Sequence, residues 1–580
     1  MFLEKINSPK DVKKLRRKDL PSLCEEIRTA LLQRLSKKGG HAGPNLGAVE
    51  LTVALHYVFD APQDKIVFDV SHQCYTHKML TGRKQAFLYE QCYGQANGFT
   101  NPSESAYDLF TVGHTSTALS LACGLAKARD LLGQKHNVVA VVGDGSLSGG
   151  EAYEGLNNIA EQGTNFIAVI NDNEMSIAEN HGGYAKNLGE LRRTKGKAKH
   201  NMFLALGLDY LYEEEGNDVN RLVNLFRKIK DCSRPVAVHL HTQKGKGYPP
   251  AEQNTEKFHS CGPFCLQTGE MLKAPEESYN SITRDYLQNK IASDKSVFVI
   301  SSGTPAVLAL DAPRREAMGK NFVDVGIAEE HAVAFASGAA KGGAKPVYAV
   351  FGSFLQRSFD QLHQDLALDN NPAVILSFWD SVYGMGGATH NGLYDVAELS
   401  NIPNLLYLAP TCVEEYLAML DWAIDQTQRS VAIRVPAKVY HGSFVATDYS
   451  AQRSVVTKKG SGVAILAVGS MYRTAEQAAE LLAQKGVHAT LVNPVCLTSV
   501  DEKLLNELAE THSLIVTVEE GILDGGYGQK VASLLGDKDV KVKNFGLEKS
   551  FFGDFIPDEL LARNGLTAEQ IAAYISDFKA

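Results

Sequence analysis

The sequence predicts an α/β protein built of three consecutive α/β domains with mainly parallel sheets. Short apolar runs rich in β-branched residues alternate with stretches of helical periodicity, a pattern typical of parallel strands covered by helices. The chain has 580 residues, and at roughly 150 residues per domain this length allows three or four domains. Polar stretches near 262–278 and 441–460 separate the pattern into three blocks.

Composition excludes several classes of protein. Lys and Arg total 58 against 67 Asp and Glu, a net charge of −9 without a basic stripe, so no nucleic-acid partner is expected. No run approaches the ~18 apolar residues of a membrane span, and the N-terminus, charged from Glu4 onward, has no apolar signal core. Nine scattered cysteines favour reduced thiols and therefore a cytoplasmic location.

The first predicted domain, residues 1–270, contains two clear strands. NVVAVVGDG (137–145) and TNFIAVINDN (164–173) are apolar runs that end in polar or Gly-rich turns. The stretch between them has helix-forming composition and ends on Gly163, a residue that suits a helix C-cap.

The second and third predicted domains, residues 278–440 and 455–580, repeat the alternation of strand and helix. In the second, the stretch 322–343 begins as a strand and continues as a helix, and further strands are expected at 296–303, 345–353, 372–380 and 430–436. In the third, strands are expected at 462–469, 488–495 and 513–521, with helices between them.

Two turns at strand ends carry the sharpest chemical signal. In GDG (143–145), the glycines let the backbone approach a phosphate, and the N-terminus of the following helix offers free N–H groups. Asp144 and, in NDN (171–173), Asn173 supply oxygen ligands from two neighbouring strand ends, which suits Mg²⁺. GDG by itself is often only a tight turn, but the two turns together resemble the diphosphate–metal motif of thiamine-diphosphate enzymes.

A pair of acids follows a strand in DVGIAEEHAV (324–333). Glu329 and Glu330 begin a helical stretch, where acids commonly do no more than stabilise the helix dipole. Thiamine-diphosphate chemistry gives such an acid another role, because a buried carboxyl must engage the aminopyrimidine ring before that ring accepts the cofactor's proton. An apolar pocket raises the pKa of a carboxyl and suits that hydrogen bond.

Histidines recur in Gly-flanked loops. A single histidine in a turn is more often structural than catalytic, but several beside a metal motif indicate proton transfer and anion binding. They are His41, His72, His114, His259 and His390.

Taken in order, the motifs resemble the 1-deoxy-D-xylulose-5-phosphate synthase family of the transketolase superfamily from end to end. GGHAGPNLG, VSHQCYTHKMLTGR and VGHTST precede GDG, and KGKGYPPAE, DVGIAEEHAVAFASG and VEEGILDGGYG follow it. The resemblance implies thiamine diphosphate and Mg²⁺ as cofactors and a homodimer. It also implies that pyruvate and D-glyceraldehyde 3-phosphate are condensed, with loss of CO2, to 1-deoxy-D-xylulose 5-phosphate, a precursor of isoprenoids, thiamine and pyridoxal phosphate.

The resemblance also implies a role for each matching residue. Asp144, Asn173 and the backbone carbonyl of Met175 are the expected metal ligands. Glu329 is expected to activate the aminopyrimidine, and Phe354 to stack on that ring. The other expected cofactor contacts are His72, Gly113, His114, Thr115, Gly145, Ser146, Asn173 and Tyr248. His41, His259 and His390 are expected near the reacting carbon, and Arg357, Arg434 and His390 at the substrate.

Departures from the family pattern cluster on the acceptor side. Ser381 stands where the family usually has Arg, Phe351 where Tyr is common, and PAK (436–438) where PRG is common. The loop GMGGATH is shorter than the usual GADGxTH and lacks its acid, and Pro44 replaces a small residue. The segment between ENHG and GLDYL, a mobile cover in the family, is also shorter.

Because of these departures, the identity of the acceptor is left open. Arg357 and Arg434 remain to meet a phosphate, with Lys438 or Lys345 as candidates to compensate for the missing arginine. The synthase reaction is favoured, and the alternative is a transketolase-like enzyme with the same cofactor and another acceptor or donor. A non-catalytic scaffold is a third hypothesis, against which Asp144, Asn173 and Glu329 together argue.

Overall fold

The computed structural model describes residues 1–579, which divide into two units. The first comprises Met1–Pro275 and Gly326–Ala328, and the second comprises the other described residues from Glu276 onward. The boundary after Pro275 falls inside the predicted linker 262–278. The second unit contains two separate sheets. The division of the chain into three domains stays a prediction.

The first unit is built on a five-stranded sheet in the order β1-β2-β3-β5-β4, in which every pairing is parallel. Its strands are β1 Lys65–Phe68, β2 Val138–Gly143, β3 Ile167–Asp172, β4 Asp209–Glu213 and β5 Val236–His241. Its longer helices are α1 Leu20–Lys38, α2 Val49–Val58, α3 Ala118–Leu131, α4 Gly150–Gln162, α5 Gly182–Arg193 and α6 Val219–Ile229. Shorter helices are Pro9–Lys13, Ala42–Gly47, Tyr75–Lys78, Gln85–Leu88, Met202–Ala205 and Pro249–Gln253.

The second unit holds a six-stranded parallel sheet in the order β10-β11-β9-β8-β6-β7. Its strands are β6 Val297–Ser301, β7 Phe322–Asp324, β8 Lys345–Phe351, β9 Val374–Phe378, β10 Leu406–Leu408 and β11 Val431–Val435. Its longer helices are α7 Tyr279–Ser293, α8 Glu329–Lys341 and α9 Val413–Asp425. Shorter helices are Ala312–Met318, Gly352–Leu355, Phe359–Gln361 and Asp395–Leu399.

The other sheet of the second unit has five strands in the order β12-β14-β13-β15-β16. Its pairings are parallel except that of the edge strand β12 with β14. Its strands are β12 Val455–Lys458, β13 Gly462–Ala467, β14 Thr490–Asn493, β15 His512–Ile522 and β16 Lys541–Leu547. Its helices are α10 Tyr472–Ala483, α11 Glu502–Thr511, α12 Tyr527–Leu534, Pro557–Arg563 and α13 Ala568–Lys579.

The predicted class of α/β domains with mainly parallel sheets is confirmed. The central strands are the apolar runs of the sequence, because strands covered on both faces must be apolar throughout. Gly163 ends α4 in the left-handed conformation, with φ 64°, as the C-cap prediction requires.

Some strands were not predicted. β4 and β16 are half-exposed and carry polar residues, and β12 lies inside a stretch that was expected to be a linker. Their patterns lack the continuous apolar run of a central strand. No helix among residues 1–579 combines the length and the apolar character needed to cross a membrane.

Candidate functional site

The predicted metal turns lie side by side at the carboxyl edge of the first sheet. β2 and β3 pair in parallel with Gly143 opposite Asn171, and the Asp144 N–H donates to the Asn171 carbonyl at 3.2 Å. Parallel strands bring their carboxyl ends to one edge, so Asp144 and Asn173 project from neighbouring strand ends. The Asp144 carboxylate accepts a hydrogen bond from Asn180 Nδ2 at 2.7 Å.

The chemistry of this donor set fits a small divalent cation. Asp144 is buried, and burial together with the charge of Asp172 raises its pKa well above the usual value. A cation would relieve that cost, and a carboxylate, an amide oxygen and a backbone carbonyl are the hard ligands that Mg²⁺ prefers. Residues 1–579 contain no group of three or more His, Cys, Asp or Glu side chains able to hold a metal, and Asn173 and the Met175 carbonyl stay predicted ligands.

Gly145 lies so close to Ser176 that there is no room for a side chain at this position. A Cβ on this residue would lie 2.9 Å from both the Cβ and the Oγ of Ser176, closer than atoms pack without rearrangement. The neighbouring Ser146 carbonyl accepts a hydrogen bond from Ser116 Oγ at 2.9 Å. The turn 143–146 therefore fits closely between two other segments of the unit.

The predicted contacts Gly113, His114 and Thr115 lie in the turn that precedes α3. Asp69, at the end of β1, accepts hydrogen bonds from the backbone N–H groups of Ser116 at 2.8 Å and Ala118 at 2.9 Å. Asp69 is a positioning residue that the sequence analysis missed. In the sequence, Asp69 could have been found only as an acidic residue that follows a short apolar strand.

Three of the predicted histidines form one cluster. The ring centroid of His41 lies 5.2 Å from that of His72 and 5.8 Å from that of His259, and the His72 and His259 centroids are 5.3 Å apart. Burial, with the positive charge of Lys244, lowers the pKa of His41 to about 4 and that of His259 well below its usual value. His41 and His259 are therefore neutral near pH 7 and can accept protons.

Lys244 was missed as a site residue, although it lies in the quoted motif KGKGY. Its side chain is buried, and its Nζ donates to the Ser176 carbonyl at 2.5 Å. Burial lowers its pKa to about 8, against the opposing effect of Asp144. A buried cation beside the turns 143–145 and 171–173 suits an anionic ligand.

Tyr248 has a different environment from the one expected of a cofactor contact. Its ring packs 5.7 Å from those of Phe258 and Phe264, and its hydroxyl donates to the Leu266 carbonyl at 3.0 Å. The side chain is buried in this aromatic group, and its contact with a cofactor stays a prediction.

In the second unit, Glu329 is the first residue of α8 and is only 2% exposed. Burial raises its pKa to about 7, although the nearby Arg357 guanidinium opposes the shift. Arg357 Nη1 lies 3.4 Å from Glu329 Oε2. Arg357, expected at the substrate, is thus in contact with the predicted catalytic acid.

His390 packs against one of a chain of three aromatic rings. The Phe354 ring lies 5.5 Å from that of His390 in an edge-to-face arrangement and 5.8 Å from that of Phe351. Phe351 in turn lies 4.9 Å from Trp379. The structure thus brings together Phe354 and His390, two of the predicted site residues.

Arg434, which is expected at the substrate, is paired with a buried carboxylate. Its side chain is buried, its Nε and Nη2 donate to Asp395 at 2.6 and 3.1 Å, and Nη2 also donates to the Glu520 carbonyl at 2.7 Å. Asp395 neutralises the guanidinium, which makes Arg434 a weaker candidate for binding a phosphate, and its contact with the substrate stays a prediction. The local pattern of β11 contains no sign of this distant partner.

The position of the missing family arginine is occupied by a buried hydroxyl. Ser381 Oγ donates to Glu520 Oε1 at 2.7 Å, as does the Val382 N–H, and Ser470 Oγ donates to Oε2 at 2.8 Å. Glu520 is thus held by three donors.

The two candidate lysines differ in their surroundings. Lys345 is paired with Asp294 and Asp425, each at 2.9 Å, so it is not available to replace the arginine. Lys438 is exposed, and its Nζ lies 3.6 Å from the centroid of the Tyr383 ring, two residues after Ser381.

Sequence comparison agrees with these motifs along the whole chain. Residues 3–201 match the family model of 1-deoxy-D-xylulose-5-phosphate synthase, residues 278–442 that of the transketolase pyrimidine-binding domain, and residues 452–571 that of the transketolase C-terminal domain. The 1-deoxy-D-xylulose-5-phosphate synthase of Symbiobacterium thermophilum is 40% identical over 99% of this chain and 94% of its own. That of Desulforudis audaxviator is 38% identical over 98% and 96%.

The chain belongs to the 1-deoxy-D-xylulose-5-phosphate synthase family. Members of this family are thiamine-diphosphate enzymes, so the expected resemblance and enzyme class are confirmed. Among solved structures, the transketolase of Campylobacter jejuni matches 97% of this chain and 100% of its own with a TM-score of 0.44 and 17% identity.

Proposed function

We propose that this protein condenses pyruvate with D-glyceraldehyde 3-phosphate, with loss of CO2, to form 1-deoxy-D-xylulose 5-phosphate. The observation that carries the proposal is Glu329, a buried carboxyl at a helix N-terminus whose pKa of about 7 lets it hold a proton at neutral pH. Membership of the family supports the same reaction.

The residues described above suit the two cofactors. Asp144, Asn173 and the Met175 carbonyl would bind Mg²⁺, and Lys244 supplies a buried positive charge for the diphosphate. When bound, thiamine diphosphate supplies a nucleophilic carbon and accepts the electrons that decarboxylation releases. Phe354 would offer a flat apolar face to the aminopyrimidine, and the Glu329 carboxyl would hold a proton for a hydrogen bond to that ring.

The histidine cluster supports proton transfer at the reacting carbon. His41 and His259 are buried and uncharged near pH 7, so their ring nitrogens can accept a proton from a hydroxyl and return it. Within residues 1–579, the buried His259 Nδ1 has no hydrogen-bond partner. His390, beside Phe354, is the corresponding candidate in the second unit.

For the acceptor phosphate we propose Lys438. It is an exposed cation in contact with the Tyr383 ring, close to Ser381, and it replaces a residue of the family's PRG motif. One specific observation favours a different acceptor. Ser381 is a buried hydroxyl at the position of the family's arginine, and Arg434 is buried as well, so fewer cations are left to bind a phosphate. A transketolase-like transfer to another acceptor is therefore the second candidate.

We also propose that the enzyme is a cytoplasmic homodimer. The dimer rests on the family resemblance, and the location on nine cysteines that are all free thiols. Light scattering of the purified protein, which measures its mass directly, tests the dimer.

The decisive experiment identifies products by mass spectrometry. The protein is incubated with thiamine diphosphate, Mg²⁺ and pyruvate, with and without D-glyceraldehyde 3-phosphate. Deoxyxylulose phosphate formed only in the complete mixture supports the proposal. Decarboxylation without that product favours another acceptor, and no reaction of pyruvate overturns the proposed donor.

A pair of adjacent variants tests Glu329. We expect Glu329→Gln to lower turnover by at least about a hundredfold, because the amide is not acidic and cannot transfer a proton near pH 7, and to leave Mg²⁺-dependent cofactor binding intact. Glu330→Gln, one residue further along the same helix, is the matched control. Unchanged turnover in Glu329→Gln would contradict the assigned role.

A further inference from the structure

One buried side chain joins two loops of the histidine cluster formed by His41, His72 and His259. It is the carboxamide of Asn45, which lies in the short helix Ala42–Gly47 and is fully buried. Its Nδ2 donates to the backbone carbonyls of His41 and His72, each at 2.7 Å. A single amide group therefore binds the backbone of both histidines.

The oxygen of the same carboxamide is also engaged. Asn45 Oδ1 accepts the backbone N–H of Tyr75 at 2.9 Å. Tyr75 is the first residue of the helix Tyr75–Lys78, and the first N–H groups of a helix have no partner within that helix. Neither a carboxylate nor a hydroxyl can reproduce these three bonds, because an ionised carboxylate has no donor and a hydroxyl has one.

The segments that carry His41 and His259 are joined in another way, by hydrogen bonds on both sides of these histidines. The bonds run from Gly43 N–H to the Phe258 carbonyl at 2.7 Å, from Gly40 N–H to the Cys261 carbonyl at 2.8 Å, and from Cys261 N–H to the Gly40 carbonyl at 3.1 Å. All of them connect backbone atoms, so a substitution at Asn45 leaves them in place. The loop of His72 is joined to His41 through the side chain of Asn45 instead.

The backbone just before His72 is strained. Val70 and Ser71 have φ values of 57° and 62°, a left-handed conformation that residues with a side chain rarely adopt, β-branched ones least of all. Such a conformation persists where surrounding contacts hold it. Ser71 Oγ donates to the Val112 carbonyl at 2.9 Å, and Asn45 binds the His72 carbonyl. We therefore expect the position of the His72 ring to be sensitive to the loss of Asn45.

We propose that Asn45 is a positioning residue that holds the ring of His72 in place for contact with thiamine diphosphate. The inference rests on the proposed function, in which His72 is a predicted cofactor contact. Because the backbone bonds between the segments of His41 and His259 do not involve Asn45, the expected defect of an Asn45 variant is in cofactor affinity.

The test measures the Kd of thiamine diphosphate in the presence of Mg²⁺ by calorimetry, without substrates or turnover. We expect Asn45→Ala to raise this Kd about tenfold, which corresponds to about 1.4 kcal/mol. Asn137→Ala is the matched control. Asn137 is a buried asparagine whose Nδ2 also binds two segments, through Asp64 at 3.1 Å and Asp231 at 2.9 Å. It directly precedes β2, at the edge of the sheet opposite Asp144, and its variant should bind the cofactor as the wild type does.

A double-mutant cycle separates positioning from general loosening. His72→Ala removes the ring but keeps the backbone carbonyl, and it should itself weaken binding. If Asn45 acts through the His72 ring, Asn45→Ala should change the Kd by less than about twofold in the His72→Ala background. A tenfold effect in both backgrounds overturns the inference, as does an unchanged Kd in either single variant.

A second substitution covers the case in which Asn45→Ala does not fold. Asn45→Asp keeps the shape of the side chain and the acceptor for the Tyr75 N–H but loses both donors, and an unchanged Kd in this variant is equally contrary. Absence of any Mg²⁺-dependent binding of thiamine diphosphate in the wild type would instead contradict the proposed function.

Discussion

Replacing Arg357 by Met should move the alkaline limit of activity to higher pH. The pKa of Glu329 is about 7 because burial raises it while Arg357 lowers it. With Arg357 gone, burial and the charge of Glu330 raise this pKa against the weaker opposition of a backbone hydrogen bond, so the carboxyl keeps its proton to a higher pH. If the protonated carboxyl is the active form, turnover falls as pH rises through this pKa. When the pKa rises, the descending limb of the plot of turnover against pH therefore moves to higher pH.

The geometry sets the size of the shift. At the observed 3.4 Å, two opposite charges interact by about 5 kcal/mol at an effective dielectric constant of ~20 and by about 1 kcal/mol in bulk water. Glu329 is buried and the Arg357 side chain is 15% exposed, so the interaction lies between these limits. At about 1.4 kcal/mol per pKa unit, even the lower limit raises the pKa by nearly one unit.

The assay is the pH dependence of kcat, which reports the enzyme with substrate bound. Arg357→Lys retains the positive charge and should shift the descending limb less than Arg357→Met. A limb that stays in place in Arg357→Met, or moves to lower pH, would refute the assignment of the proton to Glu329.

Three further predictions concern single residues. Glu329→Gln should be more stable than the wild type above pH 7, by up to about 3 kcal/mol, in thermal unfolding. In the wild type, the raised pKa of Glu329 contributes stability that is fully present below pH 4.5, the pKa of the unfolded chain, and is lost as pH rises through about 7, the pKa of the folded protein. Equal stability of the two proteins at alkaline pH would contradict this. Lys438→Ala should raise the KM for a phosphorylated acceptor roughly tenfold or more, since a charge-assisted hydrogen bond contributes about 1.5–3 kcal/mol. The KM for pyruvate and the kinetics of Lys345→Ala serve as controls, and an unaltered acceptor KM excludes Lys438. Gly145→Ala should weaken thiamine-diphosphate binding, because its Cβ would lie 2.9 Å from Ser176; Gly150→Ala, whose Cβ meets nothing within 4 Å, should bind normally in the same titration.

Local sequence was sufficient to predict the central strands and the two turns of the metal site. Strands buried on both faces must be continuously apolar, and the turns that follow them stand out by their Gly, Asp and Asn residues. Asp144 and Asn173 could therefore be assigned to one predicted metal site from their positions at the ends of consecutive apolar runs. Glu329 could be placed at the start of a helix for the same reason, although only its burial in the folded protein accounts for a pKa of about 7.

Partners distant in sequence were decided by the tertiary structure alone. Arg434 pairs with Asp395, 39 positions away, and donates to the Glu520 carbonyl, 86 positions away. The sequence pattern of the strand that contains Arg434 would fit an unpaired cation equally well. Arg192 joins the carboxylates of Asp172 and Glu174, on either side of Asn173, only because α5 lies against the end of β3. By itself, the sequence determined which residue types were present and where strands and turns begin. Which charges neutralise one another depends on distances of a few ångströms between segments far apart in the chain, because electrostatic interactions and hydrogen bonds fall off steeply with separation.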